Sequence, residues 1–253
     1  MELFLLGRCF YPLQIQIILI YQMVIGLDGF MNKSKKEKKL EILYSDNHLL
    51  AVNKRSGLLT QDSGTGKVNL EDIAREFVKI QNRKKGNVFL HACHRIDKEV
   101  SGIVLFARTS KALRRLTSKD YREKMVKIYH AIVEGNVTKK SDELVDYLLH
   151  QNYKSVISRR DNIKAKKAIL NYKFLKKKSK GTKLEINLLT GRYHQIRVQL
   201  SNMGNPILGD TKYGAKRVCN EIALHHYKLL FCHPVQKKII TINAPYPKNE
   251  YWF

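Results

Sequence analysis

Two stretches of the chain crowd ionisable side chains beside glycines. The first is HACHRIDKEVSGIVLFA, residues 91–107, in which His94, Arg95 and Asp97 precede an apolar run. A carboxylate beside an arginine at the entrance to a buried strand suits acid–base or nucleophilic chemistry, or a structural ion pair, which is the commoner use of such a pair. The second is LLTGRYHQIRVQLSNMGNPILGDTKYG, residues 188–214, which gathers Arg192, His194, Gln195 and Arg197 just after a glycine. Read as a helix over 192–203 ended by Gly204, this segment aligns Tyr193, Ile196, Leu200 and Met203 on one apolar stripe. Arg192 and Arg197 then flank the stripe ~140° apart, too far to face one atom easily. An arginine turned toward the core needs a carboxylate, because an unpaired buried charge is very costly. Periodicity does not say which of the two it is.

These segments must be held by elements that the pattern outlines. Leu40–Tyr44 and Leu49–Asn53, separated by Ser45 to His48, predict a hairpin. Asn69 is placed to cap a helix with Glu71 and Asp72 in its first turn and Leu70, Ile73, Ala74, Phe77 and Val78 at helical spacing. Ile103–Ala107 reads as a buried strand, Ser110 as the cap of a polar helix carrying Leu113, Leu116 and Tyr121, and Val126–Val133 and Lys183–Leu189 as strands. Two late runs, Ile222–Phe231 and Lys238–Ile242, are expected to close the sheet. Strands outnumber helices without regular alternation. The expected fold class is therefore α+β, a single catalytic domain with a central mixed, mainly antiparallel sheet flanked by helices.

Charge narrows the partner. Lys and Arg number 47 against 22 acidic residues, a formal net charge of +25. Such a surplus works against compactness and attracts polyanions, nucleic acid above all. Residues 154–183 hold a dozen Lys or Arg and one acid, Asp161. Cys9, Cys93, Cys219 and Cys232 are too scattered for a zinc module or a disulfide scaffold, which fits reduced thiols in the cytoplasm. Cys9 to Leu27 carry no charge. Residues 1–31 read as an N-terminal extension, either a start-site artefact upstream of Met31 or a weak membrane segment, so the domain is expected over 32–253.

HRIDKEVSGIVLFAR and TGRYHQIRVQLSNMGNPILGDTKYG resemble the two signatures of RluA-type pseudouridine synthases. LEILYSDNHLLAVNKRSG (40–57), KIYHAIVEG (127–135) and LHHYKLLFCHP (224–234) fall in that family's order, so the resemblance runs over 40–247. It implies the pseudouridine synthase fold, without an S4-like domain, and isomerisation of specific uridines in rRNA or tRNA. No cofactor or metal is implied, since nothing is oxidised and no group leaves. By resemblance Asp97 is the catalytic aspartate, Tyr129 packs against the target base, and Arg197 pairs with Asp97, favouring its ionised form and lowering its pKa. Arg95 is expected to occupy the space vacated by the flipped nucleotide and Arg192 to meet RNA backbone or serve structure. Lys54, His94, His194 and Gln195 are either structural or in contact with RNA. Arg55, Val100 and Tyr193 depart from the family's usual proline, threonine and smaller residue. Structured RNA is the expected partner of a cytoplasmic monomer with no stable protein partner. Two other classes fit less well: a non-catalytic RNA-binding or ribosome assembly factor on the same fold, which has no use for Asp97, Tyr129 and Arg197 together, and a glycosidase of free nucleosides, to which the basic surplus offers little.

Overall fold

The structure is a computed structural model that describes residues 40–252. The expectations for residues 1–31 lie outside those residues. Glu41–Ser45 (β1) and Leu49–Lys54 (β2) form the expected antiparallel hairpin. The helix Leu70–Gln81 (α1) follows, with the Asn69 side chain accepting from the Asp72 amide, and burying Leu70, Ala74 and Val78. Full burial of each Leu or Val stabilises by about 1.5–3 kcal/mol. His91–Ala92 (β3) pairs with Ser101–Ala107 (β4), all seven residues of which are buried. β4 lacks polar alternation because both of its faces are covered. Leu50, Val52, Val104 and Phe106 pack on one side with α1, while Leu49, Ala51, Ile103 and Leu105 pack on the other with Ala112 and Leu116.

The polar helix expected after Ser110 is two helices, Ser110–Thr117 (α2) and Lys119–Lys124 (α3). Thr109 rather than Ser110 caps the first, accepting from the Ala112 amide, and Ser118 is extended between them. Val126–Val133 (β5), Ser141–Gln151 (β6), Lys154–Ser158 (β7), Lys166–Lys178 (β8) and Gly181–Leu188 (β9) build the second half of the sheet. The basic segment thus forms β7, β8 and the start of β9, with Lys166, Lys167, Lys173, Lys176 and Lys177 exposed.

The helix Gln195–Asn202 (α4) begins three residues later than the stripe suggested, because His194 takes a left-handed conformation, φ 50°. Arg192 and Tyr193 lie outside the helix, so the helical wheel does not relate Arg192 to Arg197. Gln195 through Leu200 are all buried, polar residues included. Leu224–Cys232 (β10) and Ile239–Asn243 (β11) complete the chain. The sheet runs β1-β2-β4-β10-β5-β9-β8-β6-β7, with β11 on β10, and only β4 and β10 pair in parallel among these strands. β11 therefore does not close the sheet; it takes the edge of β10 over Lys228–Cys232, beyond the short parallel stretch with β4.

That stretch depends on Gly102. Its φ is +113°, and a Cβ there would lie 2.4 Å from the His226 carbonyl oxygen. Only a residue without a side chain lets β10 approach β4 so closely, and the approach delivers His226 beneath the site.

Candidate active site

Asp97 sits in the loop between β3 and β4, and the loop after β2 holds that segment by its carbonyls. Thr60 donates from Oγ1 to Ile96 (2.9 Å), Ser56 from Oγ to Glu99 (2.6 Å), and Lys54 from Nζ to Lys98 (3.0 Å). The Lys54 ammonium also donates to the carbonyls of Arg55 and Leu58, and the residue is 1% exposed. Lys54 is therefore structural. Burial pushes its pKa down to about 7, against the pull of Glu99 and Asp97.

Arg197 reaches Asp97 from α4, Nη1 to Oδ2 3.4 Å. Its main partner is another residue. Nε and Nη2 donate to the two Asp210 oxygens at 2.7 and 2.8 Å, with both side chains almost fully buried. This fork-on-carboxylate geometry is the strong form of the arginine–acid pair. Gly209 makes it possible, since a Cβ there would lie 2.6 Å from the Glu221 carbonyl oxygen. Glu99 adds a third carboxylate, 3.6 Å from Nη1. Burial alone would depress the guanidinium; hydrogen bonds and charge from Asp210, then Asp97 and Glu99, raise it instead.

Arg197 draws the Asp97 pKa down as expected, but the expected net lowering is corrected to a rise. Burial raises the Asp97 carboxyl above its ordinary value, Glu99 adds to the rise, and Arg197 and Lys54 offset it only in part. A guanidinium already neutralised by Asp210, offering one long N–H, cannot overcome the desolvation.

His194 fixes the other side of Nη1. Because the guanidinium can only donate, the His194 Nε2 at 3.2 Å accepts, leaving Nδ1 to donate to the Tyr213 hydroxyl at 3.0 Å. Burial and the nearby Arg197 push the His194 pKa down to about 3, so the ring is neutral. Arg197 also lies over the Tyr213 ring, 5.1 Å from its centre. Gln195 is structural: its Oε1 accepts from Thr190 Oγ1 and the Arg192 amide, and its Nε2 donates to the Ile169 carbonyl.

Tyr129, on β5, is 6% exposed and stacks on His226, ring centres 4.5 Å apart at 13°. His226 donates from Nδ1 to the Ile103 carbonyl (2.7 Å), and burial depresses its pKa to about 3. One face of Tyr129 is thus occupied by a fixed neutral ring. Burial, then Asp97, raises the Tyr129 hydroxyl, which stays protonated. His94 accepts the Leu105 amide on Nε2 (3.3 Å) and is held neutral by burial.

Of these groups, His94, Asp97, Glu99, Tyr129, His194 and Arg197 line one groove of ≈ 740 Å³. Arg95 and Arg192 also line it and are exposed. The Arg192 Nε donates to the Lys167 carbonyl (3.0 Å), which ties this arginine to β8. Residues missed from sequence are Asp210, Glu99, Ser56 and Thr60. Asp210 lies in GDTKYG and Ser56 in KRSG, but nothing in their spacing announces a partner across the fold.

A sequence model of the RNA pseudouridylate synthase family matches residues 48–202. The ribosomal large subunit pseudouridine synthase C of Vibrio cholerae is 34% identical over 84% of this chain and 68% of its own length. The dual-specificity RNA pseudouridine synthase RluA of Haemophilus influenzae is 34% identical over 82% of this chain and 94% of its own. A corresponding enzyme of Buchnera aphidicola is 66% covered, so the chain spans about two thirds of the longer relatives. Among solved structures, human RNA pseudouridylate synthase domain containing 4 superposes with a TM-score of 0.69 at 24% identity, over 82% of this chain and 89% of that one, and shares its fold.

Proposed function

Because the chain belongs to the RNA pseudouridylate synthase family, whose named members are RNA-modifying isomerases, we propose that it converts specific uridines of rRNA or tRNA to pseudouridine in the groove around Asp97, as a cytoplasmic monomer. The observation that carries this reading is the convergence of Asp97, Arg197 and Tyr129 on one open groove, from segments far apart in sequence.

The reaction breaks the N1–C1′ bond, turns the uracil and joins C5 to C1′; C5 then loses its hydrogen as a proton and N1 gains one, so the atoms balance without oxidant or leaving group. Asp97, its side chain 22% exposed, is the group that meets the sugar, either attacking C1′ or taking a proton from it. Both routes need the ionised form. The raised pKa makes that carboxylate, once ionised, a stronger base and nucleophile than an ordinary one. Tyr129 offers the base an edge and a protonated hydroxyl, its ring held still by His226. A paired uridine must be flipped out to enter, at a cost of a few kcal/mol. Phosphate contacts from Arg95, Arg192 and Lys212 around the groove offset that cost and make binding salt-dependent.

The test is release of tritium from RNA labelled at C5 of uridine. Wild type releases label from RNA and none from free uridine; Asp97→Asn releases none while still binding RNA. A protein that binds RNA but never releases tritium is the assembly factor instead. Equal release by wild type and Asp97→Asn removes Asp97 from the chemistry.

A further inference from the structure

β6 and β7 are joined by Asn152 and Tyr153 alone, with Gln151 opposite Lys154 across the ladder. Both turn residues have positive φ, 47° and 55°. This is the tight hairpin geometry for which asparagine followed by glycine is the favoured pair. Tyrosine in the second position is strained, and burial does not compensate, since Tyr153 is 82% exposed. Strain held at an exposed aromatic residue asks for a use.

The turn is fixed to the catalytic groove. The Tyr153 carbonyl accepts from Lys212 Nζ at 2.6 Å and from the Tyr193 hydroxyl at 3.4 Å, and both donors line the groove that holds Asp97. Tyr193, 43% exposed, stacks on His194 with ring centres 3.9 Å apart and meets His150 of β6 at 4.5 Å. His194 in turn accepts from Arg197. From the Tyr153 carbonyl, the Tyr193 and His194 rings therefore lead to the guanidinium beside Asp97.

We propose that Tyr153 is a stacking platform for an unpaired base flanking the target uridine, with Tyr193 continuing the aromatic rim into the groove. This rests on the RNA-isomerase reading and names the part of the substrate that reading leaves open. A uridine flipped into the groove leaves its neighbours partly unstacked, and a flat ring accepts any of them. The surrounding charge matches a phosphate backbone: Lys154 follows the tip, and Arg192 and Lys212 stand on the rim. Because its carbonyl is tethered, the platform needs little ordering when RNA arrives.

Tyr153→Gly separates the two roles of the residue. Glycine relieves the φ of 55°, so the variant melts above wild type. If the ring stacks on RNA, the same variant binds a fluorescein-labelled, uridine-rich single-stranded oligoribonucleotide about tenfold more weakly. Its KM for unmodified total RNA rises about tenfold while kcat stays within about twofold. Tyr153→Ala loses affinity likewise, and Tyr153→Trp restores it. A Tyr153→Gly chain that melts higher yet binds and converts RNA as wild type overturns the proposal. Absence of pseudouridine formation by wild type defeats the isomerase reading instead, and the oligoribonucleotide arm still decides Tyr153.

Discussion

Replacing Asp210 by asparagine keeps the shape of the side chain and removes the charge that holds Arg197. In the wild type Arg197 Nε and Nη2 each donate to an Asp210 oxygen, at 2.7 and 2.8 Å, and Arg197 and Asp210 expose 3% and 1% of their side chains. Removing one partner from a buried pair costs about 3–5 kcal/mol, because the remaining charge is stranded. Here Asp97 and Glu99, at 3.4 and 3.6 Å, take up part of that charge. The loss in Asp210→Asn is accordingly set near the lower end, about 3 kcal/mol, read as a shift in urea midpoint at unchanged slope. The site responds in a second, opposite way. With Asp210 neutral, the guanidinium acts more fully on Asp97, so the acid limb of the single-turnover rate moves to lower pH. Asp97→Asn provides the contrast in sign. A carboxyl with a pKa raised by folding destabilises the fold when ionised, by about 1.4 kcal/mol for each unit of rise. Its removal therefore leaves stability at neutral pH equal to wild type or higher. Asp210→Asn with wild-type stability and an unmoved acid limb would refute the view that Asp210 holds the arginine and limits its pull on Asp97.

Acid lability follows from the buried histidines. Burial holds His194 and His226 down to about 3 and His225 to about 4, while an unfolded histidine titrates near 6.5. The unfolded chain binds these protons first, so stability is intact above ~6.5 and falls as the pH drops. The three together remove about 4 kcal/mol per pH unit near pH 5, with the raised Asp97 opposing by at most one proton. Urea midpoints at pH 7.5, 6 and 5 check this, and a flat series contradicts it. Gly102→Ala, which forces a Cβ to 2.4 Å from the His226 carbonyl, is expected to cost about 3 kcal/mol, against about 1 kcal/mol for Gly57→Ala, where nothing lies within 4 Å. Equal thermal shifts for the two variants would show that the β4–β10 approach adapts freely.

Much of the frame was legible because it is written in local terms. The Asn69 cap, the hairpin around Ser45 to His48 and the apolar run of β4 are each decided within a few residues. Residues 154–183 stand out by charge rather than as strands, since the lysines of β8 cover its exposed face and hide the alternation of Ala168, Leu170 and Tyr172. Burial of Gln195 through Leu200 on every side of α4 was not legible either. The apolar stripe marks one face only, and polar positions off it are satisfied by distant groups, such as Asp146 and the Leu144 carbonyl for Gln199. At the site, Asp97 and Arg197 lie 3.4 Å apart, as the motif suggests, and the pairwise pull of Arg197 on the Asp97 pKa is outweighed. The sign is set by the burial of Asp97, with Glu99 adding to it, and that burial exists only in the folded chain.

The most direct test is the single-turnover rate of pseudouridine formation as a function of pH, with protein in excess over unmodified RNA and nucleosides counted after digestion. The rate of wild type should fall on acidification through a pKa above the ordinary carboxylate range, and Asp97→Asn should give only background at every pH. An Asp97→Asn rate within tenfold of wild type, or an acid limb at or below the ordinary range, would contradict the account.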